Sequence, residues 1–179
     1  MYADILKKIV NNYEYYKNIA VNLECVEFSS KFYDWYEYPV GAYVTICNFP
    51  NGYIKNNFEQ AYVQTILRYM YYMDRRRNKD LQDITPAELP EDMAKNKYVY
   101  EQYITYHELR MNHITEDYLI QKIKSYTEYN DIPKSEINSV IPYLTGAEII
   151  EIGGDCPEEY SFISIKDNSI MLIDCGLWD

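Results

Sequence analysis

Three short runs of strand-forming residues close the chain: Ala147 to Ile152 (AEIIEI), Tyr160 to Ile165 (YSFISI) and Ile170 to Asp174 (IMLID). Branched and aromatic side chains suit a pleated, half-buried surface, and runs of this length separated by turn residues pair with their chain neighbours. Gly153-Gly154-Asp155 supplies one connection and Asp167-Asn168 the other. The pattern predicts an antiparallel meander, with Trp178 placed to anchor the terminus against it.

The residues before Gly146 carry a different period. Ile5, Leu6, Ile9, Val10, Tyr13 and Tyr16 recur at helical spacing and predict an opening amphipathic helix from Tyr2 to about Val21. Leu23 to Tyr38 is dense in aromatics and fits either a helix or an irregular strand. Ala42 to Phe49 (AYVTICNF) predicts a strand, ended by the turn residues Pro50-Asn51-Gly52. Asn57, with Gln60 three residues on, marks a capped helix start; Phe58, Tyr62, Ile66, Tyr69, Met70 and Met73 form its apolar face, and Gln60, Gln64, Arg68 and Arg75 its wet stripe. Arg75-Arg76-Arg77 complement the dipole at its C-terminal end. Asn78 to Asn96 reads as a connecting loop. Helices are expected from Tyr98 to about His113, from Glu116 to about Tyr129 with Thr115 as cap, and briefly after Pro133, ended by Pro142. The fold class is therefore α+β, several amphipathic helices with a small antiparallel meander at the C-terminus. It is expected as one domain over residues 1–179, helix-rich over 1–145 and strand-rich over 146–179. A chain of 179 residues buries roughly two-thirds of its unfolded surface, enough to fold without metal or disulfide.

Charge narrows the function. From Gly146 to Asp179 there are eight acids against the single Lys166, so −7 of the net −11 sits in the last fifth of the chain. An acidic pole repels nucleic-acid phosphate and anionic lipid and favours a basic partner. Cys25, Cys47, Cys156 and Cys175 lack Cys-x-x-Cys spacing and the N-terminus lacks a signal segment, which predicts free thiols in the cytoplasm. No apolar run approaches the ~20 residues that span a bilayer.

Catalytic patterns are missing. His107 and His113 are the only histidines, and neither has a partner at zinc-site spacing. No phosphate-cradling glycine loop and no Gly-x-Ser-x-Gly elbow occurs. Cys156 sits in a turn beside acids that raise a thiol's pKa, which leaves a cysteine-dependent enzyme as a minor alternative. No cofactor and no metal is expected.

The 22 tyrosines supply the remaining argument, because Tyr is a rigid, amphipathic interface anchor. The expectation is a non-enzymatic, acidic protein-binding inhibitor that blocks a basic, nucleic-acid-processing protein by presenting carboxylates where phosphates would sit. A toxin-immunity protein or a phage-encoded, anti-CRISPR-like inhibitor works in this way. Glu148, Glu151, Asp155, Glu158 and Glu159 are the expected charged contacts, with Tyr160 and Trp178 as aromatic anchors. The alternative from another class is a structural or regulatory subunit of a homo-oligomer.

Overall fold

A computed structural model describes residues 2–24, 26–37, 39–77, 101, 110–128, 130–153 and 160–177. Helices α1 (Tyr2–Val10) and α2 (Tyr13–Val21) come first, then the strands β1 (Ser29–Asp34) and β2 (Val40–Asn48) and the long helix α3 (Tyr53–Arg77). Strand β3 (Arg110–His113), helix α4 (Glu116–Glu128), helix α5 (Lys134–Val140) and a 3-10 turn (Ile141–Tyr143) follow. Strands β4 (Glu148–Gly153), β5 (Tyr160–Lys166) and β6 (Ser169–Leu177) end the fold.

The predicted meander is present, and it forms the middle of a larger sheet. All six strands join one antiparallel sheet in the order β1-β2-β6-β5-β4-β3. The fold is α+β, with helices on both sides of that sheet. One core packs α1, α2 and α3 onto Tyr43, Cys47, Ile150, Ile163, Ile170 and Leu172. The second packs Leu119 and Ile123 of α4, Val140 and Leu144 onto Val44, Ile46, Ile149, Phe162, Met171 and Ile173. Alternate residues of a strand face opposite sides, so a strand covered on both sides is apolar throughout rather than every second residue. That is why the interior of β2 is buried from Gly41 to Cys47 and that of β5 from Ser161 to Ile165.

Local chemistry accounts for three departures from the expected elements. The opening helix is two: Asn12 leaves helical geometry and its side chain accepts the Tyr15 N–H at 3.0 Å, capping α2. At Asn57 the backbone is non-helical (φ −135°, ψ 41°), so the predicted cap is a kink inside α3, and a first turn from Tyr53 precedes it. Arg110–His113 is a strand rather than the end of a helix, because its backbone pairs with β4, His113 opposite Ile150. Within the aromatic stretch, Ser29–Asp34 forms β1. Its turn into β2 brings Gly41 so close to Trp35 and Tyr36 that an added Cβ would lie 2.4 Å from the Tyr36 Cα. Asn130, beyond α4, ties this turn down by donating to the carbonyls of Trp35 (2.8 Å) and Val40 (2.6 Å). Among the described residues no helix is long and apolar enough to cross a membrane.

Candidate functional site

Of the seven expected contact residues, Glu148, Glu151 and Tyr160 are described; Asp155, Glu158, Glu159 and Trp178 lie outside the described residues, as does Cys156. Glu148 and Glu151 are three apart on β4, an odd offset, so they project to opposite faces of the sheet. Glu148 pairs with Ile165 on the α1–α3 side, and its Oε1 lies 4.0 Å from Nδ1 of the exposed His113. Glu151 pairs with Phe162 on the α4–α5 side and is 8% exposed, offering little surface to an approaching partner. Tyr160 stands on the same side as Glu151, next but one along β5 to Phe162, with the two rings stacked at 6.2 Å. The structure thus brings Glu151 and Tyr160 to one face and sends Glu148 to the other.

Helix α4 completes the Tyr160 surface. Thr115 caps its start by accepting the Tyr118 N–H at 3.3 Å, and Glu116 accepts from the Thr145 hydroxyl (2.9 Å) and the Gly146 N–H (3.4 Å), fastening α4 to the approach of β4. One turn beyond Tyr118, Lys122 places its Nζ 3.8 Å from the Tyr160 ring and 5.7 Å from the Tyr118 ring. Tyr118 is 39% exposed, one of two large hydrophobic side chains so exposed among the described residues, the other being Val21. An ammonium near aromatic faces is attracted by the ring quadrupoles, so Lys122 links the two rings. Tyr160 is further fixed at its carbonyl, which accepts from the Cys175 thiol at 3.3 Å. Sequence reasoning named Tyr160 and missed Tyr118. The signal was present in EDYLIQK, where Tyr118 and Lys122 stand four apart and therefore on one helix face.

A second polar group lies under α3. Tyr69 donates to Asp174 Oδ2 at 2.6 Å and Ser161 to Asp174 Oδ1 at 2.8 Å, tying α3, β5 and β6 together. The Asp174 residue keeps some exposure, yet its carboxyl is desolvated. Burial raises its pKa above the usual carboxylate value, and the two hydrogen bonds oppose that shift. Asp174 follows Leu172 by two in IMLID, so the inward position of an acid was legible in the alternation.

The thiols Cys47 and Cys175 are both free and buried. Burial pushes Cys47 up to about 12 and Cys175 well above its ordinary value, so both are protonated and poor nucleophiles near neutrality. Among the described residues no three His, Cys, Asp or Glu side chains gather as a metal site would require.

The expected wet stripe of α3 is partly a clasp. Gln60 donates to the Asn22 carbonyl (3.0 Å) and Gln64 to the Glu24 carbonyl (3.2 Å), and the Arg68 guanidinium lies over Phe28, 4.8 Å from its ring centre. Spaced by four residues, the three side chains hold the segment leading into β1 along the helix.

Compared with models of protein families, with curated proteins and with solved structures, the chain has no significant match.

Proposed function

We propose that this chain is a non-enzymatic, cytoplasmic binding protein that blocks a basic protein partner, one that normally handles nucleic acid, through the end of the sheet where β4 runs into β5. The observation that carries this reading is the exposed Tyr118 set beside Tyr160 and braced by Lys122 at that end. An aromatic that is exposed yet held in one place binds at low entropic cost, and Tyr is enriched among the side chains that dominate interface energies. The sequence puts Asp155, Glu158 and Glu159 in the connection between these strands, and Asp117 is exposed beside Tyr118. Carboxylates around an aromatic anchor steer a cationic surface into contact and discriminate against acidic ones. Glu148, on the other face and at the other end of β4, lies outside this surface, and Glu151 is buried beneath it.

Affinity capture from the native host tests the reading. The tagged full chain is expected to retain a basic protein at low salt and to release it as salt rises, whereas Tyr118→Ala and the triple variant Asp155→Asn, Glu158→Gln, Glu159→Gln retain much less. Equal retention by all three proteins, or a captured partner that is acidic, contradicts it.

A further inference from the structure

We infer that Arg68 is the centre of an oxyanion-binding site beside the β1–β2 edge of the sheet, taking the carboxylate or phosphate group of a small ligand. The inference is independent of the partner surface, which lies on the other side of the sheet.

Arg68 is half-buried, and its Nε–H is shielded from solvent without a hydrogen-bond acceptor among the described residues. It forms no ion pair with a described carboxylate, although the chain holds 28 acids against 17 Lys and Arg. A desolvated cation is stable only when something negative or strongly accepting faces it. The neighbours do not fill that role. Cys47, Tyr71 and Tyr72 approach the guanidinium, and the thiol, pushed up to about 12 by burial, carries no charge near neutrality.

What surrounds Arg68 suits an anion. The Phe28 ring centre lies 4.8 Å from the guanidinium carbon and the ring itself stacks on Phe49 at 4.8 Å, so one wall beside the guanidinium is in place before a ligand arrives. Ser30 stands opposite Cys47 in the β1–β2 register, and its Oγ is 2.7 Å from the Tyr72 hydroxyl, one helical turn beyond Arg68. Two hydroxyls sharing one hydrogen bond use one proton between them and leave the other O–H to donate. The Tyr72 ring is fixed by stacking on Phe32 at 4.9 Å. A planar guanidinium with a hydroxyl donor nearby matches the geometry of a carboxylate or phosphate oxygen pair. A residue that served only to clasp Phe28 would need the ring contact and would be indifferent to anions.

Thermal unfolding of the full chain in inorganic phosphate, in acetate and in chloride at equal ionic strength tests the site, together with the shift of the Arg68 Nε–Hε resonance in the wild-type chain. Expected is a saturable rise in Tm with phosphate or acetate over chloride, accompanied by a saturable shift of that resonance. Affinity should fall at least tenfold in Arg68→Gln and less in Arg68→Lys and Ser30→Ala. A response to phosphate alone assigns a phosphate-bearing ligand, and one to acetate a carboxylate. The inference is overturned if neither anion gives a saturable shift of the Arg68 resonance, or if Arg68→Gln responds as the wild type does. The resonance is read on unaltered protein, so a variant that fails to fold does not leave the question open.

Discussion

Tyr69 on α3 donates a 2.6 Å hydrogen bond to Asp174 on β6, a contact between residues 105 positions apart in the chain that closes the helix onto the sheet. The carboxyl it touches has a raised pKa because it is desolvated. The folded state therefore holds this proton more tightly than the unfolded chain, whose Asp titrates near ~3.9. Stability contributed by the group is fully present below that value and is lost as pH rises through the folded pKa. Asp174→Asn keeps the shape and removes the charge, so its stability relative to wild type should climb across this window and level off above it. Tyr69→Phe removes a bond that favours the ionised form and should cost about 1–3 kcal/mol at neutral pH, with a smaller loss near pH 4. Denaturant titrations at a series of pH values give both curves.

The turn between β1 and β2 has no room for a side chain at residue 41. Gly41→Ala puts a Cβ 2.4 Å from the Tyr36 Cα and 2.7 Å from the Trp35 oxygen, both backbone atoms. The strand must shift, and a loss of about 2 kcal/mol or more is expected, read as a lower denaturant midpoint at unchanged m-value. Asn130→Ala strands the two carbonyls that its amide now satisfies and should cost about 2–4 kcal/mol by the same assay.

Tyr62 offers the opposite sign. It is fully buried in the α1–α3 core, and its hydroxyl has no hydrogen-bond partner among the described residues. Removing an unsatisfied buried hydroxyl relieves its desolvation cost, so Tyr62→Phe should raise stability by about 1 kcal/mol. A lower midpoint in this variant would mean that the hydroxyl is satisfied after all.

Cys47 and Cys175 should resist a thiol reagent at pH 8 in the native chain, because each is buried and held in its protonated form. In a Cys25→Ser, Cys156→Ser background, two thiols should react in denaturant and none, over the same interval, without it.

Sequence texture made β2 and the three closing strands legible, whereas β1, though it pairs with the next strand along the chain, was masked by its dense aromatics. The meander of β4, β5 and β6 was readable because its pairings are local, with Phe162 opposite Ile173 and Glu151 opposite Phe162. The pairing of β2 with β6, Val44 opposite Ile173, joins segments more than a hundred residues apart and leaves no local mark. The same holds for β3, whose Arg-Met-Asn-His carries no strand pattern and is extended because β4 pairs with it. The place of Tyr160 at the start of β5 was legible in the run YSFISI. The separation of Glu148 from Glu151 was legible too, in their odd spacing, but charge counted along the chain does not record which face a carboxylate occupies. Arg68 looked like part of a solvated stripe because helical spacing cannot reveal that the segment from Asn22 to Phe28 folds back onto it.

The central claim, binding of a basic partner by an acidic aromatic surface, is tested most directly by association kinetics with the captured partner across a salt series. The rate constant of the wild-type chain should fall steeply with ionic strength. Neutralising Glu148, Glu151, Asp155, Glu158 and Glu159 to Gln or Asn should slow association and flatten that slope, while Tyr118→Ala should act on dissociation, speeding it about tenfold, or ~1.4 kcal/mol. An association rate indifferent to salt, or one unchanged when the five acids are neutralised, contradicts the account.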